Sequence, residues 1–485
     1  MKLISKQNDW IDFFKDLLIS KLLILVILSF ILYIFYQILL SQNILLAFGV
    51  ASFPFFVIIF FLIIANSEKG FYPVYISHFI LLSISSYMDI KLGVATVLIT
   101  LAIFMLIIVK GIYNRLEWKH AINPMLITYS IWMAYCIIEI GNPNHVQEAW
   151  NVSITQYAVY PLVCAILVPI SIKKSTHIHW LVLIWSIFIL FAAFKGYWQK
   201  NHGFNEKELY FLYELGGART HIIWSGIRYF SVFSDAANYG VHMGMAVIGF
   251  GISSIYTKNI FLKLYYLFVM FAAIYGMFIS GTRAAIAVPL AGIFLFTLLA
   301  GNLRIFSLGA IVGLGIIIFF NFTTIGESNN NIRRMRTAFN PTKDASYQVR
   351  KANQERMKIL MASKPFGYGI GLGGKAEKFH PKELMPYPPD SWMVNVWTDT
   401  GIIGVTIYIL LHSFLFVYCS WILIFKIKDL SLKGLLTAWL CVCFGYFVAS
   451  FANDVMQYPN SIIIYTGFAL CVTGPLLSNK LNSKE

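Results

Sequence analysis

Two arginines occupy positions where a buried positive charge could bind an anion. Arg283 lies in the sequence SGTRAAIAVPLAG, directly before an apolar run and without an acidic neighbour. Arg228 lies in GIRYFSVFSDAANYG, just ahead of another apolar run. An arginine at membrane depth is costly unless it is paired, and its planar guanidinium suits phosphate groups better than the ammonium of lysine does. The alternative for Arg283 is a side chain that only extends to the water interface.

The elements that must position these arginines are membrane helices. The chain of 485 residues is 58% hydrophobic and only 12% charged, with a mean hydropathy of +0.71. This is far more apolar surface than one soluble core could bury. Runs of about 20 apolar residues match the roughly 30 Å hydrocarbon core of a bilayer. We therefore predict an all-α fold, a polytopic integral membrane helix bundle.

The apolar runs predict about fourteen crossings. They lie at roughly 17–40, 44–65, 71–88, 91–109, 124–141, 156–172, 178–197, 235–256, 260–280, 282–301, 303–322, 400–426, 432–452 and 459–477. Four regions follow: N-terminal helices at 1–197, a transmembrane core with both arginines at 198–322, a periplasmic loop or lid at 323–399, and C-terminal helices at 400–485. Lysine and arginine are concentrated in alternate short loops, so both termini are expected in the cytoplasm.

The same count places residues 199–234 and 323–395 on the outer face, together with Arg228 and Arg283. The longer segment contains twelve basic residues against six acidic ones, and positive charge has no role in orienting the chain on that face. A basic surface beside the membrane indicates an anionic ligand, such as a phosphate or pyrophosphate headgroup. The alternative is an amphipathic helix that rests on lipid.

Within this loop the sequence predicts one helix and one glycine-rich turn. Residues 344–363 lack glycine and proline and end before Pro365, which predicts an amphipathic helix. The run GYGIGLGG at 367–374 allows either close approach of the backbone to a ligand or sharp turns. No GKS or GKT follows it, and neither a nucleotide-binding motif nor a metal-ligand cluster is visible in the sequence. We expect no cofactor, no metal and no nucleic-acid partner.

Four short motifs, in this order, resemble those of the O-antigen ligase and polysaccharide polymerase superfamily of bacterial membrane glycosyltransferases. The resemblance spans residues 228–404. The matching residues are Arg228, Phe233 and Asn238; Ser280, Gly281, Thr282 and Arg283; Arg350, Pro365, Gly367 and Gly369; and Asp390, Ser391, Asp399, Gly401 and Gly404. The first and last motifs depart from the family pattern, the first also in spacing, which is longer by one residue. A serine stands where the first motif usually has glycine, and Asp390 stands where ligases have histidine.

The resemblance implies a GT-C-like bundle of about 12–14 helices in the bacterial inner membrane, with the active site facing the periplasm. It implies metal-independent, inverting transfer of a glycan from undecaprenyl pyrophosphate to a sugar hydroxyl, during assembly of O-antigen, capsule or exopolysaccharide. The implied partners are the undecaprenyl-pyrophosphate-linked glycan, a glycan or lipid A core acceptor, and membrane lipids.

By the same resemblance, Arg228, Arg283 and Arg350 bind the pyrophosphate and Asp390 is the general base that accepts the hydroxyl proton. His380, upstream in KFHPKEL, is the alternative base. Asp390 could instead cap a turn or a helix after Pro388 and Pro389.

Three functions remain open at this point. The aspartate in place of histidine favours a polymerase, or transfer to another acceptor, over an O-antigen ligase that acts on lipid A core. A flippase or transporter of lipid-linked glycan would also have many spans and intramembrane charges. Such proteins usually carry internal repeats and broken helices, and no repeat is visible between the halves of this sequence.

Overall fold

The computed structural model describes residues 69–87, 92–113, 116, 118–223, 226–339, 345–374, 376–456 and 460–482, and four isolated positions between 29 and 36. The chain divides into two compact units, Met1–Asn66 and Ser67–Glu485. The predicted spans at 17–40 and 44–65 fall almost wholly outside the described residues. All that follows concerns the second unit.

The described chain is almost entirely helical. In chain order the α-helices are α1 Phe71–Ser85, α2 Leu92–Tyr113, α3 Pro124–Ile138, α4 Gln147–Ile154, α5 Tyr160–Ser171, α6 Ser175–His202, α7 Glu206–Tyr213, α8 Ala218–His221, α9 Ala236–Tyr256, α10 Ile260–Ile279, α11 Ala284–Ala300, α12 Leu303–Phe322, α13 Asn330–Arg336, α14 Ala345–Met361, α15 Trp392–Phe425, α16 Leu430–Ala449 and α17 Asn460–Asn482. A π-helical turn at Thr155–Val159 joins α4 to α5. The strands β1 Ile222–Ile223 and β2 Gly226–Ile227 form a short antiparallel hairpin, with Ile222 opposite Ile227.

Nine stretches of the described chain are helical, long enough and apolar enough to cross a membrane. They are α2, α3, α6, α10, α12, α15, α16, α17 and the continuous helix made by α4, the π turn and α5, while α1 and α11 are shorter apolar helices. The predicted all-α polytopic class is therefore confirmed. Each predicted span from 71–88 onward coincides with a helix, and the amphipathic helix predicted at 344–363 is α14.

The core of the bundle is built around α9, which packs against α10, α11 and α16. Glycines at these contacts let the backbones approach closely. A Cβ atom at Gly244 would lie 2.6 Å from the Ala285 carbonyl oxygen, and a Cβ atom at Gly445 would overlap the Val288 carbonyl. Close packing of small residues stabilises helix pairs in lipid, where apolar burial alone gives little drive for association.

A chain of hydrogen bonds crosses this core and ends at Asp235, the residue before α9. Trp185 Nε1 donates to His242 Nε2 at 3.0 Å, and His242 Nδ1 lies 2.7 Å from Asn460 Oδ1. Asn460 Nδ2 donates to Asn238 Oδ1 at 2.9 Å, and Asn238 Nδ2 donates to Asp235 Oδ2 at 2.6 Å. Because the indole of Trp185 can only donate, the hydrogens of the chain all point towards the carboxylate. The chain thereby fixes α6, α9 and α17 around Asp235.

Candidate active site

A cavity of about 670 Å³ lies where the long loop, residues 323–391, meets the beginning of α9 and the end of α4. Its volume is in the range of small-molecule sites, roughly 300–1,000 Å³. The lining comes from residues of the segments 152–157, 220–237, 371–399 and 453–454, and from Arg350. Three of the residues predicted from the sequence, Arg228, Arg350 and Asp390, line this one cavity.

Arg228 is held in place by three hydrogen bonds from its guanidinium. Nη2 donates to Thr282 Oγ1 at 2.9 Å, Nη1 to the Thr220 carbonyl at 2.9 Å, and Nε to the Ser280 carbonyl at 3.3 Å. The Thr282 hydroxyl donates in turn to the Ala236 carbonyl at 2.7 Å, which joins the arginine to the start of α9. The Ser-Gly-Thr part of the second motif thus positions the arginine of the first motif.

The three predicted arginines lie within electrostatic reach of one another. Burial lowers the pKa of Arg228 to about 10, Asp235 opposes that shift, and Arg283 and Arg350 add to it. Burial and the charge of Arg350 likewise lower the pKa of Arg283. These guanidiniums remain protonated at neutral pH, so the structure brings together the charges that the sequence placed far apart in the chain.

Arg334, on the long loop, joins this group and was missed as a site residue from the sequence. Its neighbour Thr337 connects it to the cluster: Arg283 Nη1 donates to Thr337 Oγ1 at 3.3 Å, and that hydroxyl donates to the Arg334 carbonyl at 2.8 Å. Burial, followed by the charges of Arg228 and Arg283, lowers the pKa of Arg334 to about 9. In the run NNIRRMRT nothing distinguishes Arg334 from the exposed Arg333, so only the folded chain reveals the difference.

Asp390 faces Arg350 across the cavity wall. Arg350 Nε lies 4.0 Å from Asp390 Oδ2, with each side chain 34% exposed. Arg350 is held by a hydrogen bond from Nη1 to the Ala452 carbonyl at 2.6 Å. Burial raises the pKa of Asp390, and Arg350 opposes this rise. A half-buried carboxylate with a raised pKa is the kind of group that can accept a proton during a reaction.

Two histidines near the cavity, His380 and His221, occupy different environments. His380 lies in an exposed turn at the end of the 3₁₀ segment Glu377–Phe379, with a φ of +49°, whereas its neighbours Lys378 and Phe379 line the cavity. His221 is buried beside the cavity. Its Nδ1 lies 2.9 Å from the Gly217 carbonyl, and its Nε2 accepts from the Ala236 N–H at 3.1 Å.

These contacts define the protonation state of His221. Nε2 accepts a hydrogen bond, and Nδ1 lies beside a carbonyl oxygen. Both contacts are satisfied by the neutral ring with its hydrogen on Nδ1. Burial is the main cause that lowers the pKa of His221, which favours the same neutral form. The His221 carbonyl accepts from the Arg228 N–H at 2.8 Å. The backbone of His221 therefore holds that of Arg228, and its side chain holds the start of α9.

Asp399, 1% exposed, anchors the glycine-rich run to α15. Its Oδ2 accepts from the Tyr157 hydroxyl at 2.7 Å and from the Gly371 N–H at 2.9 Å, and its Oδ1 accepts from the Gly373 N–H at 2.6 Å. The Asp399 carbonyl accepts from the Gly369 N–H at 2.9 Å. The backbone of the glycine run therefore wraps around one buried carboxylate.

The glycines are needed for sharp turns around this carboxylate. Gly367, Gly369 and Gly371 have φ values of +75°, +101° and +80°, which residues with a Cβ atom rarely adopt. Gly401 kinks α15 with a φ of +68°, and a Cβ atom there would overlap the Pro365 carbonyl. The sequence left two roles open for these glycines, close approach of the backbone to a ligand or sharp turns. The described structure contains the sharp turns, which bring Gly371 to the cavity wall.

Helix α14 packs on the glycine run through its apolar residues. Met357 and Met361 are buried in one cluster with Tyr368 and Leu372. Apart from Arg350, which lines the cavity, its charged residues are exposed, as in the pair of Lys358 and Glu355 at 2.9 Å. The amphipathic helix therefore has a protein partner for its apolar face.

Together the fold and the cavity define a polytopic α-helical membrane protein with an arginine-rich site that also contains carboxylates. Residues 268–409 match the family model described as O-Antigen ligase. This segment, which includes Arg283, Arg334, Arg350 and Asp390, is thus similar to that family, and the resemblance to the O-antigen ligase and polymerase superfamily is confirmed there. No curated protein matches the chain. The family supports an enzyme of glycosyl transfer in O-antigen or polysaccharide assembly, in a lipid-linked glycan and membrane context.

Replacing Asp399 with asparagine should destabilise the cavity wall. One acceptor oxygen becomes an NH₂ group that faces an N–H donor, and an unsatisfied buried polar group costs about 1–3 kcal/mol. We expect Asp399→Asn to lower the thermal unfolding midpoint of the detergent-purified protein and to speed proteolysis of the long loop. Asp390→Asn, at a half-exposed carboxylate, is the matched control and should leave both unchanged. An Asp399→Asn protein as stable as wild type would contradict the anchoring role.

Proposed function

We propose that this protein transfers a glycan from an undecaprenyl pyrophosphate carrier to a sugar hydroxyl, and that the cavity is where the transfer occurs. The observation that carries the proposal is the lining of the cavity, in which arginines and a half-buried carboxylate meet beside the family-matched segment. A departing diphosphate needs positive charge, and an attacking hydroxyl needs a base. The cavity contains both kinds of group.

In the proposed reaction, Arg228, Arg283 and Arg350 bind the diphosphate of the donor. Asp390 takes the proton of the acceptor hydroxyl while the hydroxyl oxygen bonds to the anomeric carbon. The bond from that carbon to the diphosphate oxygen breaks, and its electron pair leaves on the diphosphate. Attack from the opposite side inverts the configuration at the carbon. Because the guanidiniums stabilise the departing charge, the proposed reaction is metal-independent.

A second, apolar groove of about 840 Å³ supports a lipid-linked donor. It is lined by the end of α1, the start of α2, α7 and the residues Phe230, Val232 and Phe233. The segment 228–235 separates the groove from the cavity, because its two ends line the cavity and its middle lines the groove. A donor with its diphosphate at Arg228 and its polyprenyl chain in the groove would match this change from basic to apolar lining.

Polymerisation is the favoured form of the reaction. Asp390 occupies the position where ligases have histidine, which favours a polymerase or an acceptor other than lipid A core. In the proposed orientation both termini are cytoplasmic in the bacterial inner membrane, and the cavity opens to the periplasm. Donor glycans of O-antigen, capsule or exopolysaccharide type would all fit the proposal.

Arg228→Ala and Arg283→Ala should each abolish the glycan product while the protein stays in the membrane. Loss of one group that stabilises developing charge typically costs about 10²–10³-fold in rate. A strain lacking the gene is complemented with each variant, and surface glycan is examined on a gel with an immunoblot of the membrane fraction. Arg304→Ala, at an exposed arginine of α12, is the control and should restore the wild-type pattern. Normal glycan from Arg228→Ala or Arg283→Ala would remove the role of that arginine in diphosphate binding.

The deletion strain also separates the three functions. Loss of the long ladder with a single repeat retained indicates a polymerase. Long glycan stranded on the lipid carrier indicates a ligase. Lipid-linked repeats that accumulate on the inner side of the membrane indicate a flippase and would overturn the proposed transfer.

Activity should fall at low pH, because a general base must be deprotonated and burial raises the pKa of Asp390. Arg350→Gln removes the charge that lowers this pKa, so the acidic limb of the kcat/KM profile should move to higher pH. The other charged residues that line the cavity are unchanged in this variant; they are Arg228, Asp235, Lys378, Asp399 and Asp454. An unmoved limb would contradict the assignment. Asp390→Asn should be inactive at every pH, and full activity in that variant would transfer the role of base to His380.

Filling the apolar groove should weaken binding of long-chain donors selectively. Gly93 lines the groove, and a Cβ atom there would meet no other described atom within 4 Å. We expect Gly93→Trp to raise KM for a polyprenyl-linked donor about tenfold, with little change for a donor on a short prenyl chain. Gly315→Trp, on the exposed side of α12, is the matched control. An equal effect on both donors would place the lipid chain elsewhere.

A further inference from the structure

We propose that Arg334 is a ligand of the diphosphate, contributed to the site by the long loop. The inference rests on the proposed function and extends it, because none of the four sequence motifs contains Arg334. The shared chemistry is a diphosphate group, whether it is carried by a lipid, as in the donor and in the carrier released from it, or is inorganic.

The side chains of Arg334 and Arg228 converge over Gly281. A Cβ atom built on Gly281 would lie 3.3 Å from Arg334 Cδ and 3.5 Å from Arg228 Cγ. Gly281 also has a φ of +57°, so both its backbone and its missing side chain suit glycine. The glycine of the Ser-Gly-Thr-Arg motif thus leaves the space in which an arginine of the long loop meets an arginine of the bundle.

The third guanidinium, that of Arg283, is coupled to the same loop helix. Its Nη1 donates to Thr337 Oγ1, which in turn donates to the Arg334 carbonyl at the end of α13. Met335, between them, is fully buried and anchors α13 against the bundle. The residues that hold Arg283 in place therefore also hold Arg334 in place.

Three guanidiniums this close repel one another, and partial burial strengthens the repulsion. The positive charges of Arg228 and Arg283 disfavour the protonated form of Arg334, so both lower its pKa. A ligand with two or more negative charges would convert this repulsion into attraction. Adjacent phosphate groups can accept bidentate hydrogen bonds from several arginines at once. A diphosphate has the charge that this cluster requires.

The neighbouring residue provides an internal control. Arg333 has the same charge and lies on the same helix, but it is exposed and its Nη2 donates to Asn330 Oδ1 at 2.8 Å. Loss of either arginine changes the net charge of the loop equally. A difference between the two variants therefore reports the location of the guanidinium and not general electrostatic attraction.

The test measures binding of inorganic pyrophosphate and of farnesyl diphosphate to the full chain in detergent, by calorimetry. Arg334→Gln is expected to weaken binding about 10–100-fold, the typical effect of losing a charged hydrogen bond. Arg333→Gln should stay within about twofold of wild type. Arg334→Lys should recover part of the affinity, because it restores the charge without the bidentate geometry. Whichever diphosphate binds wild type more tightly identifies a lipid-linked or an inorganic diphosphate as the ligand.

The outcomes separate this inference from the proposed function. A wild-type protein that binds neither diphosphate contradicts the proposed diphosphate site as a whole. Wild-type binding with equal affinity in Arg334→Gln overturns the role of Arg334 and leaves the proposed function standing. The unfolding midpoint without ligand is measured in parallel. If Arg334→Gln lowers this midpoint and Arg334→Lys recovers stability but no affinity, Arg334 has a structural role and the inference is wrong.

Discussion

The geometry of the cavity depends on one buried carboxylate, that of Asp399. A charge in this position is costly unless it is fully hydrogen-bonded, and here Tyr157 and the N–H groups of Gly371 and Gly373 supply the donors. Satisfying the carboxylate requires the backbone to turn around it, and the turns require glycine. The same constraint reaches into α15, where the kink at Gly401 admits the Pro365 carbonyl. Asp390, the wall at Gly371 and the support for α14 all lie on the segment that this contact shapes.

The carboxylates near the cavity differ in the hydrogen bonds that their oxygens accept. Asp399 is saturated by donors, and Asp235 accepts from the backbone N–H groups of Ala237 and Asn238, the Asn238 side chain and the Ser234 hydroxyl. Oxygens that already accept structural hydrogen bonds are less available to a substrate hydroxyl. Asp390 faces only one charged partner among the described residues, Arg350 at 4.0 Å. This contrast supports Asp390 as the base and gives Asp235 and Asp399 the task of holding the surrounding chain.

Among the arginines, Arg228 is held by hydrogen bonds within the protein. Arg228 is bound to oxygens of Thr220, Ser280 and Thr282, so its orientation is set before any ligand arrives. A preorganised cation stabilises developing charge without the cost of reorienting during the reaction. The hydrogen-bonded chain from Trp185 to Asp235 adds to this order from the membrane side. Polar residues within the core therefore serve the site, which is the usual reason for keeping them in a membrane bundle.

The sequence by itself determined the fold class, the positions of the described apolar helices, the amphipathic α14 and the arginine and glycine motifs. These depend on local properties: the length of an apolar run, helix-breaking residues, and the rarity of arginine beside lipid. Only the tertiary structure decided that Ser280 and Thr282 hold Arg228, that the glycine run encloses Asp399, and that Arg334 is half-buried while Arg333 is exposed. Those facts depend on which distant segments meet, and neighbouring arginines in one short helix have the same local sequence signal. Contact across the fold, with the burial it causes, is what distinguishes them.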